Sequence, residues 1–222
     1  EPRSALAQFR SPGPESWHPS PDFLFQRGAG PLYDMGPYYL TSLVLAYGPV
    51  ASVSAVGSQV ASSRTIGSGP RAGESFAVEV PTRVDGLLRF ASGASAAVQF
   101  SFDEAIDRPH VLELTGSLGT LALPDPNQFS GPTRSARRGA ATWSEQEPDG
   151  TVGGRGLGTL EMARALRAGR PHRLTGDLAA HVLDIMISLD EATAADGSIQ
   201  LTSTVTAPEQ LPVDFDPLAA TL

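Results

Sequence analysis

Cysteine is absent from this 222-residue chain, and so is lysine, because all sixteen basic residues are arginine. The first absence excludes disulfides, thiolate metal sites and cysteine nucleophiles. The second excludes a P-loop, a Schiff base and a lysine general acid, so any lysine chemistry has to be supplied from elsewhere. No run of about 18 apolar residues occurs, which leaves no candidate membrane-spanning helix. There is no secretory hydrophobic region either, and a cytoplasmic location is the default expectation. A basic surplus is missing too: the formal charge of −8 argues against nucleic acid, whose phosphates are bound by basic surfaces. An initiating methionine is also lacking, and the opening Glu1-Pro2-Arg3 reads like the interior of a longer polypeptide.

What is present is ordinary for a globular body. Hydrophobic residues make up 41% and charged residues 18%, while 23 Gly and 19 Pro indicate many turns in place of a helical bundle. The length fits one domain, residues 1–222, with a proper core.

Periodicity divides the chain. Residues 3–10 alternate loosely and predict a first strand. Residues 11–27 hold four prolines interleaved with Trp17, Phe23 and Phe25, the composition of an ordered loop that packs against something. A helix is expected after Gly36, with Pro37 at its first position and Gly48-Pro49 at its end. Leu40, Leu43, Val44 and Tyr47 form its core stripe, and Asp34, Tyr38, Thr41 and Leu45 lie nearly opposite. From residue 50 to about 123 the period becomes two, with apolar sets at 51–55, 76–80, 84–90, 96–102 and 112–114. Ser92-Gly93 and Gly116-Ser-Leu-Gly119 stand where hairpin turns are required, so a mainly antiparallel meander follows, its polar face solvated or covered by another subunit. Residues 124–156 read as an excursion with one strand near 140–145. A helix over 157–168 and a longer one from 176 to about 195, capped by Thr175, complete the pattern.

The densest concentration of special residues is Arg27-Gly-Ala-Gly-Pro-Leu-Tyr-Asp34-Met-Gly-Pro-Tyr38-Tyr39-Leu-Thr41. A carboxylate and a phenol four residues apart on one helical face can share a proton path to a substrate hydroxyl. With a reference pKa of about 10, a tyrosine needs a cationic neighbour to act as a base near neutrality, and this chain has no lysine to give it. A purely structural reading stands beside this one, with Asp34 as a helix cap and Tyr38 as half-buried packing. Gly67-Ser-Gly69-Pro-Arg-Ala72 satisfies G-x-G-x-x-A on paper, yet Pro70 and Gly73 lead into a strand and no helix follows, so it reads as a surface loop. The four histidines never approach a ligand spacing, so no metal site is expected. Asp177, His181 and Asp184 share a helix face and read as its wet side.

The segment Gly28-Ala-Gly-Pro-Leu-Tyr-Asp34-Met-Gly-Pro-Tyr38 resembles the G-G-G-x-L-x-D-x-G-x-H/Y stretch of the Gfo/Idh/MocA oxidoreductases. The resemblance continues through Trp17-His-Pro-Ser-Pro-Asp-Phe, Gly119-Thr-Leu-Ala-Leu-Pro-Asp-Pro and the stretch from Gly169-Arg-Pro-His-Arg to Asp184. It corresponds to the family's C-terminal domain, without the N-terminal Rossmann domain that carries the glycine fingerprint and a Glu-Lys-Pro lysine. The implied fold is α+β, a two-layer sandwich with a large, mostly antiparallel open sheet and helices on one face. The implied activity is hydride transfer at a sugar, polyol or cyclitol hydroxyl or carbonyl. NAD or NADP is then held by the missing domain, and none is expected to bind this chain alone, which is expected to be inactive by itself. By the same resemblance Asp34 and Tyr38 are the catalytic candidates. Trp17, His18 and Tyr39 are weaker candidates for substrate contact, because an aromatic face can stack on a sugar ring. Homo-oligomerisation through the open sheet face is implied as well. Thr41 stands where the family frequently has Asp, and Tyr38 where most of its sugar dehydrogenases have His. The alternative function is a non-catalytic assembly or sugar-binding module.

Overall fold

The structure, a computed structural model, describes residues 1–147, 150 and 153–219. In chain order the elements are β1 (Pro2–Arg10), α1 (Pro31–Tyr47), β2 (Val50–Ser58), β3 (Ser63–Thr65), β4 (Ser75–Ala77), β5 (Arg83–Phe90) and β6 (Ser95–Ser101). Then come β7 (Val111–Gly116), β8 (Gly119–Ala122), β9 (Thr133–Arg137), β10 (Ser144–Gln146), α2 (Leu157–Arg167), α3 (Gly176–Ala192) and β11 (Ile199–Gln200). Among the described residues nine strands form one sheet in the order β10-β9-β8-β7-β1-β6-β5-β2-β11, and β3 with β4 makes a separate two-stranded piece. Only β1 and β6 pair in parallel; the other pairs among the described residues are antiparallel. The architecture is therefore the α+β sandwich that the resemblance implies.

Side-chain alternation decides which face the helices cover. Ala5, Ala7, Leu88, Ala96, Val98 and Phe100 are buried together with Leu40, Leu43 and Val44 of α1 and Ile185 and Leu189 of α3 in one core. Burying each such large side chain contributes roughly 1.5–3 kcal/mol. Helix α1 lies over β1, β5 and β6, and α3 lies over β2 and β5 and against α1. Gly86 shows how close α3 comes: a Cβ there would stand 2.6 Å from Leu189 Cδ2, so the strand gives up a side chain to let the helix approach. The opposite face carries the alternate residues, Gln8, Asp85 and Gln99 in register with Val56, and Leu6, Ala97 and Leu87 beside them.

The hairpin turns stand where expected: Gly93, at φ 88°, turns β5 into β6, and residues 117–118 turn β7 into β8. Thr175 caps α3, its Oγ1 accepting from Leu178 N at 3.2 Å. Besides His181, read with the wet side of α3 but wholly buried, three expectations need correction. First, α1 begins at Pro31, six residues before Pro37. Both prolines suit a first helical position; Pro31 follows Gly30 at φ 91° and takes it, and Pro37 is tolerated within the helix, where its missing N–H leaves one rung unmade. Second, Phe76 does not belong to the meander. It sits in β4 and, with Phe25, Ile66, Val78 and Phe102, makes a small second core. Third, residues 124–156 are more than an excursion, because β9 and β10 extend the main sheet.

The stretch after α3 is tied down at Ser203 by a buried polar knot. His181, wholly buried, accepts from Val50 N at its Nε2 (3.0 Å), so its proton sits on Nδ1 and is donated to Ser203 Oγ (2.7 Å). Ser203 Oγ in turn donates to Asp184 Oδ2 at 2.6 Å, and Ser203 N donates to the same oxygen at 3.0 Å. This serine serves its neighbours and is no nucleophile, since both imidazole nitrogens are already committed. Burial lowers the His181 pKa, even though the Asp184 charge acts to raise it. For Asp184 burial acts upward, but the bonds from Ser203 and from the backbone outweigh it and hold the carboxyl below its ordinary value.

A neutral imidazole in the fold has a defined pH signature. As pH falls through about 6.5 the unfolded chain takes up a proton that the folded chain refuses, so stability declines below that pH and Asp184 adds a further loss below about 4. His181→Leu, which strips Val50 N–H of its acceptor, should cost about 1–3 kcal/mol and flatten the decline between pH 7 and 5. Urea unfolding of both proteins across that range checks this.

Candidate functional site

Seating α1 by Tyr39, Leu40, Leu43, Val44 and Tyr47, all buried, turns the other side of the helix outward. Asp34 and Tyr38 are both exposed, with Thr41 and Leu45 continuing the stripe. Helical geometry holds from Pro31, so the acid and the phenol lie one above the other, about 6 Å apart along the axis. No cap role falls to Asp34: the N-cap is Gly30, with no side-chain cap bond. The structural reading of that residue therefore loses its basis. Placement in the first turn favours a carboxylate through the helix dipole, while surrounding protein raises the Asp34 pKa by desolvation. Its exposed side chain means solvent screens that effect, so it carries little weight for stability. Among the described residues no internal hydrogen bond occupies the Asp34 carboxylate or the Tyr38 hydroxyl, and both remain open to an external partner.

The remaining sequence candidates separate. Tyr39 is fully buried, and its Oη is engaged by His110 Nδ1 at 2.9 Å. Its pKa is raised, first by burial and then by the Asp125 charge. As a substrate contact Tyr39 is corrected to a core residue, because helix periodicity places it one step round from Tyr38 and against Phe100. Behind it stands a chain of groups that local spacing could not reveal. His110 stacks on Phe9 at 5.5 Å, and its Nε2 lies 3.6 Å from Asp125 Oδ2.

Trp17 and His18 lie on the proline-rich segment, in an edge-to-face row with Phe23 at centroid distances of 5.5 Å. The segment is ordered, as its composition predicts, but of Trp17, Phe23 and Phe25 only Phe25 packs inward: Trp17 is 67% exposed and Phe23 52%. His18 Nδ1 accepts from Ser20 N at 3.0 Å, which leaves Nε2 to carry the proton in the neutral ring.

Arg64 fixes this aromatic row. Its Nη1 donates to Pro12 O (3.1 Å), Phe102 O (2.9 Å) and Glu15 Oε1, its Nη2 donates to Asp103 Oδ1, and the guanidinium lies over the Phe25 ring. Thr82 Oγ1 donates to the other Asp103 oxygen at 2.7 Å. The Gly67 to Ala72 loop completes the clamp. Gly67 N donates to Glu15 O at 2.7 Å and Arg71 Nη1 to Asp22 Oδ1 at 2.9 Å, while a Cβ on Gly69 would meet Pro19 at 2.6 Å. This loop lies between strands β3 and β4, so the glycines serve close backbone approach and not a pyrophosphate. The arrangement is a pinned aromatic edge and an open acid–phenol pair on one rigid body.

Among known proteins, residues 1–122 match the family model described as GFO/IDH/MocA C-terminal domain. No curated protein matches the chain. Solved structures resemble it in fold. A levoglucosan dehydrogenase in apo form superposes with a TM-score of 0.75 at 17% identity, over 92% of this chain and 60% of that one. An NAD binding oxidoreductase from Klebsiella pneumoniae gives 0.71 at 16% identity, over 91% and 59%. An aldose-aldose oxidoreductase from Caulobacter crescentus complexed with glycerol gives 0.68 at 19%, over 90% and 56%. The chain thus spans somewhat over half the length of the structures it matches.

Removal of the Arg64 guanidinium strands two partly buried carboxylates, since the Glu15 and Asp103 side chains are only 19% and 7% exposed. Arg64→Met should destabilise the protein by about 3 kcal/mol and increase proteolytic cutting within residues 11–27. Urea unfolding and limited proteolysis of the variant measure the two effects.

Proposed function

The chain belongs to the GFO/IDH/MocA C-terminal domain family, and from that premise we propose that residues 1–222 form the substrate-binding and oligomerisation domain of an NAD(P)-dependent oxidoreductase. Its substrate is a sugar, polyol or cyclitol, reacting at a hydroxyl or carbonyl. The observation that carries this reading is the pairing of Asp34 with Tyr38 on the open side of a firmly seated helix. Solved relatives support the substrate class: a levoglucosan dehydrogenase has been captured with NADH and levoglucosan, and with NADH and L-sorbose.

The residues that spell a dinucleotide fingerprint do not fit a dinucleotide. The glycine loop that spells its fingerprint joins two strands and is filled by the 11–27 segment, so the cofactor belongs to a domain outside this chain. What this chain's own residues do is bind, orient and move one proton. As the phenolate, Tyr38 Oη takes the proton of the substrate hydroxyl during oxidation, and as the phenol it returns that proton to the carbonyl oxygen during reduction. Asp34, one turn earlier, accepts a hydrogen bond from the substrate or from that phenol and sets its direction. Assistance to the phenol comes from a lysine outside this chain, since none is available here. Trp17 and His18 offer ring faces against which the apolar face of a sugar stacks.

Assembly follows from the other side of the sheet. Leu87 is 62% exposed and Val56 66%, in register with Leu6, Ala97, Asp85 and Gln99 on a face that no helix covers among the described residues. A mixed apolar and polar surface of this kind suits a second copy of the chain.

Two measurements test the proposal. In the complete oxidoreductase, Tyr38→Phe should lower kcat by about 100- to 10,000-fold with little change in KM, whereas these 222 residues alone should show no nicotinamide-dependent turnover; a normal kcat in the variant sinks the proton role. Leu87→Asp should shift the sedimentation coefficient from oligomer to monomer, and an unchanged coefficient removes the sheet face as the interface.

A further inference from the structure

A pocket of about 370 Å³ lies beside the C-terminal end of α1. Leu45 of α1, Leu157 of α2, Leu174 ahead of α3, and Pro208 and Leu211 of the tail supply its apolar walls. Leu45 and Leu174 keep 43% and 51% of their surface exposed, so the mouth is open and apolar. The volume lies within the roughly 300–1,000 Å³ of small-molecule sites. Other clefts are less suited: one of about 540 Å³ lies over β7, β8 and β9, and one of about 380 Å³ on the outer face of the sheet is an open surface.

The pocket wall is built deliberately from side-chain bonds. Glu161, with only 5% of its side chain exposed, accepts from Arg170 Nη1 at 2.7 Å, from Arg173 Nη1 at 2.8 Å and from Arg173 N at 3.0 Å. Arg173 then donates its Nε to Glu209 O at 2.9 Å and its Nη2 to Gln210 O at 3.1 Å. The tail is thereby held across α2 as one side of the cavity. These bonds also decide what the cavity takes. Glu161 is already matched by two guanidiniums and the carbonyls of residues 209 and 210 are already occupied, so among the described residues the lining charge left without a partner is the exposed Glu209 carboxylate, which disfavours an anion. Recognition is left to the burial of apolar surface.

Position gives the pocket its meaning. Leu45 follows Tyr38 by seven residues, which returns it to the same stripe of α1 about 10 Å further along the axis. A pyranose with one hydroxyl at Tyr38 would direct an apolar substituent along that stripe toward Leu45. Resting on the reading of Asp34 and Tyr38 as a sugar site, we propose that this pocket is an aglycone subsite and that the substrate is a glycoside bearing an aryl or alkyl group, not a free sugar.

Titration of the 222-residue chain with phenyl and methyl β-glycosides of glucose, galactose and mannose, and with phenol, followed by ligand-observed NMR, tests the subsite without turnover. At least one phenyl glycoside should bind tenfold or more tightly than both its methyl counterpart and phenol. Leu45→Asn and Leu174→Asn, at half-exposed positions that leave the core intact, should each erase that advantage while methyl glycoside affinity stays unchanged. Equal affinity for phenyl and methyl glycosides overturns the proposal, as does phenol binding as well as the phenyl glycoside, or an advantage that survives both substitutions. Turnover by the complete oxidoreductase separates the two readings. A binding preference that persists with no oxidation of any glycoside supports the subsite and rejects the redox role. Oxidation of phenyl and methyl glycosides with equal kcat/KM keeps the redox role and rejects the subsite.

Discussion

The burial of Tyr39, Leu40, Leu43, Val44 and Tyr47 against the sheet determines where everything of functional interest in this chain can point. With that side of α1 fixed in a close-packed core, the opposite side has no freedom to rotate, and Asp34, Tyr38, Thr41 and Leu45 are presented along one open line. A shift of one residue in this seating would bury Tyr38 and expose Tyr39. The two adjacent tyrosines illustrate the outcome: one faces outward, while the other is a core ring bonded to His110. Chemistry that needs an accessible phenol is therefore decided by apolar packing, not by the phenol's own surroundings.

Three polar knots then fix the segments that have no ladder of their own. Arg64 gathers Pro12, Glu15, Phe102 and Asp103 and so sets the proline-rich segment. His181 and Asp184 hold Ser203, and Glu161 with Arg173 holds residues 209–210. Each joins residues from distant parts of the chain, and each couples one irregular stretch to a helix or strand. Because each buried carboxylate in them meets a guanidinium or several hydrogen-bond donors, burial of the charged members is largely compensated. The consequence for function is that both the aromatic edge and the pocket by Leu45 are set by rigid supports, the arrangement a precise site requires.

Much of the fold was legible because its determinants are local. Period 3.6 in residues 40–47 and 178–189 marked the buried stripes of α1 and α3, period two marked most strands, and Gly93 and Thr175 announced a turn and a cap. The misreadings have physical reasons. Two prolines offered the same helix-start signal, and only the backbone at Gly30 chose between them. Phe76 alternates like a sheet strand, yet its partners, Phe25 and Phe102, come from segments far from it along the chain. Of the candidate site, the shared face of Asp34 and Tyr38 was readable from helical spacing, whereas Tyr39, chosen for its aromatic ring alone, is buried.

The sequence by itself determined the main helices, most strands, the acid–phenol pair and its shared helix face, because each rests on residue type and on a repeat a few positions long; the class of fold came from the resemblance to a known family. Tertiary structure alone decided that β1 pairs in parallel with β6, that the fingerprint-like glycine loop clamps the 11–27 segment, and that Leu45 meets α2 and the tail. Those outcomes depend on contacts between residues scores of positions apart, and such contacts leave no period in the chain to be read. The line from Asp34 through Tyr38 to Leu45 was written in the helix, but what stands at its far end was settled only when the tail folded across it.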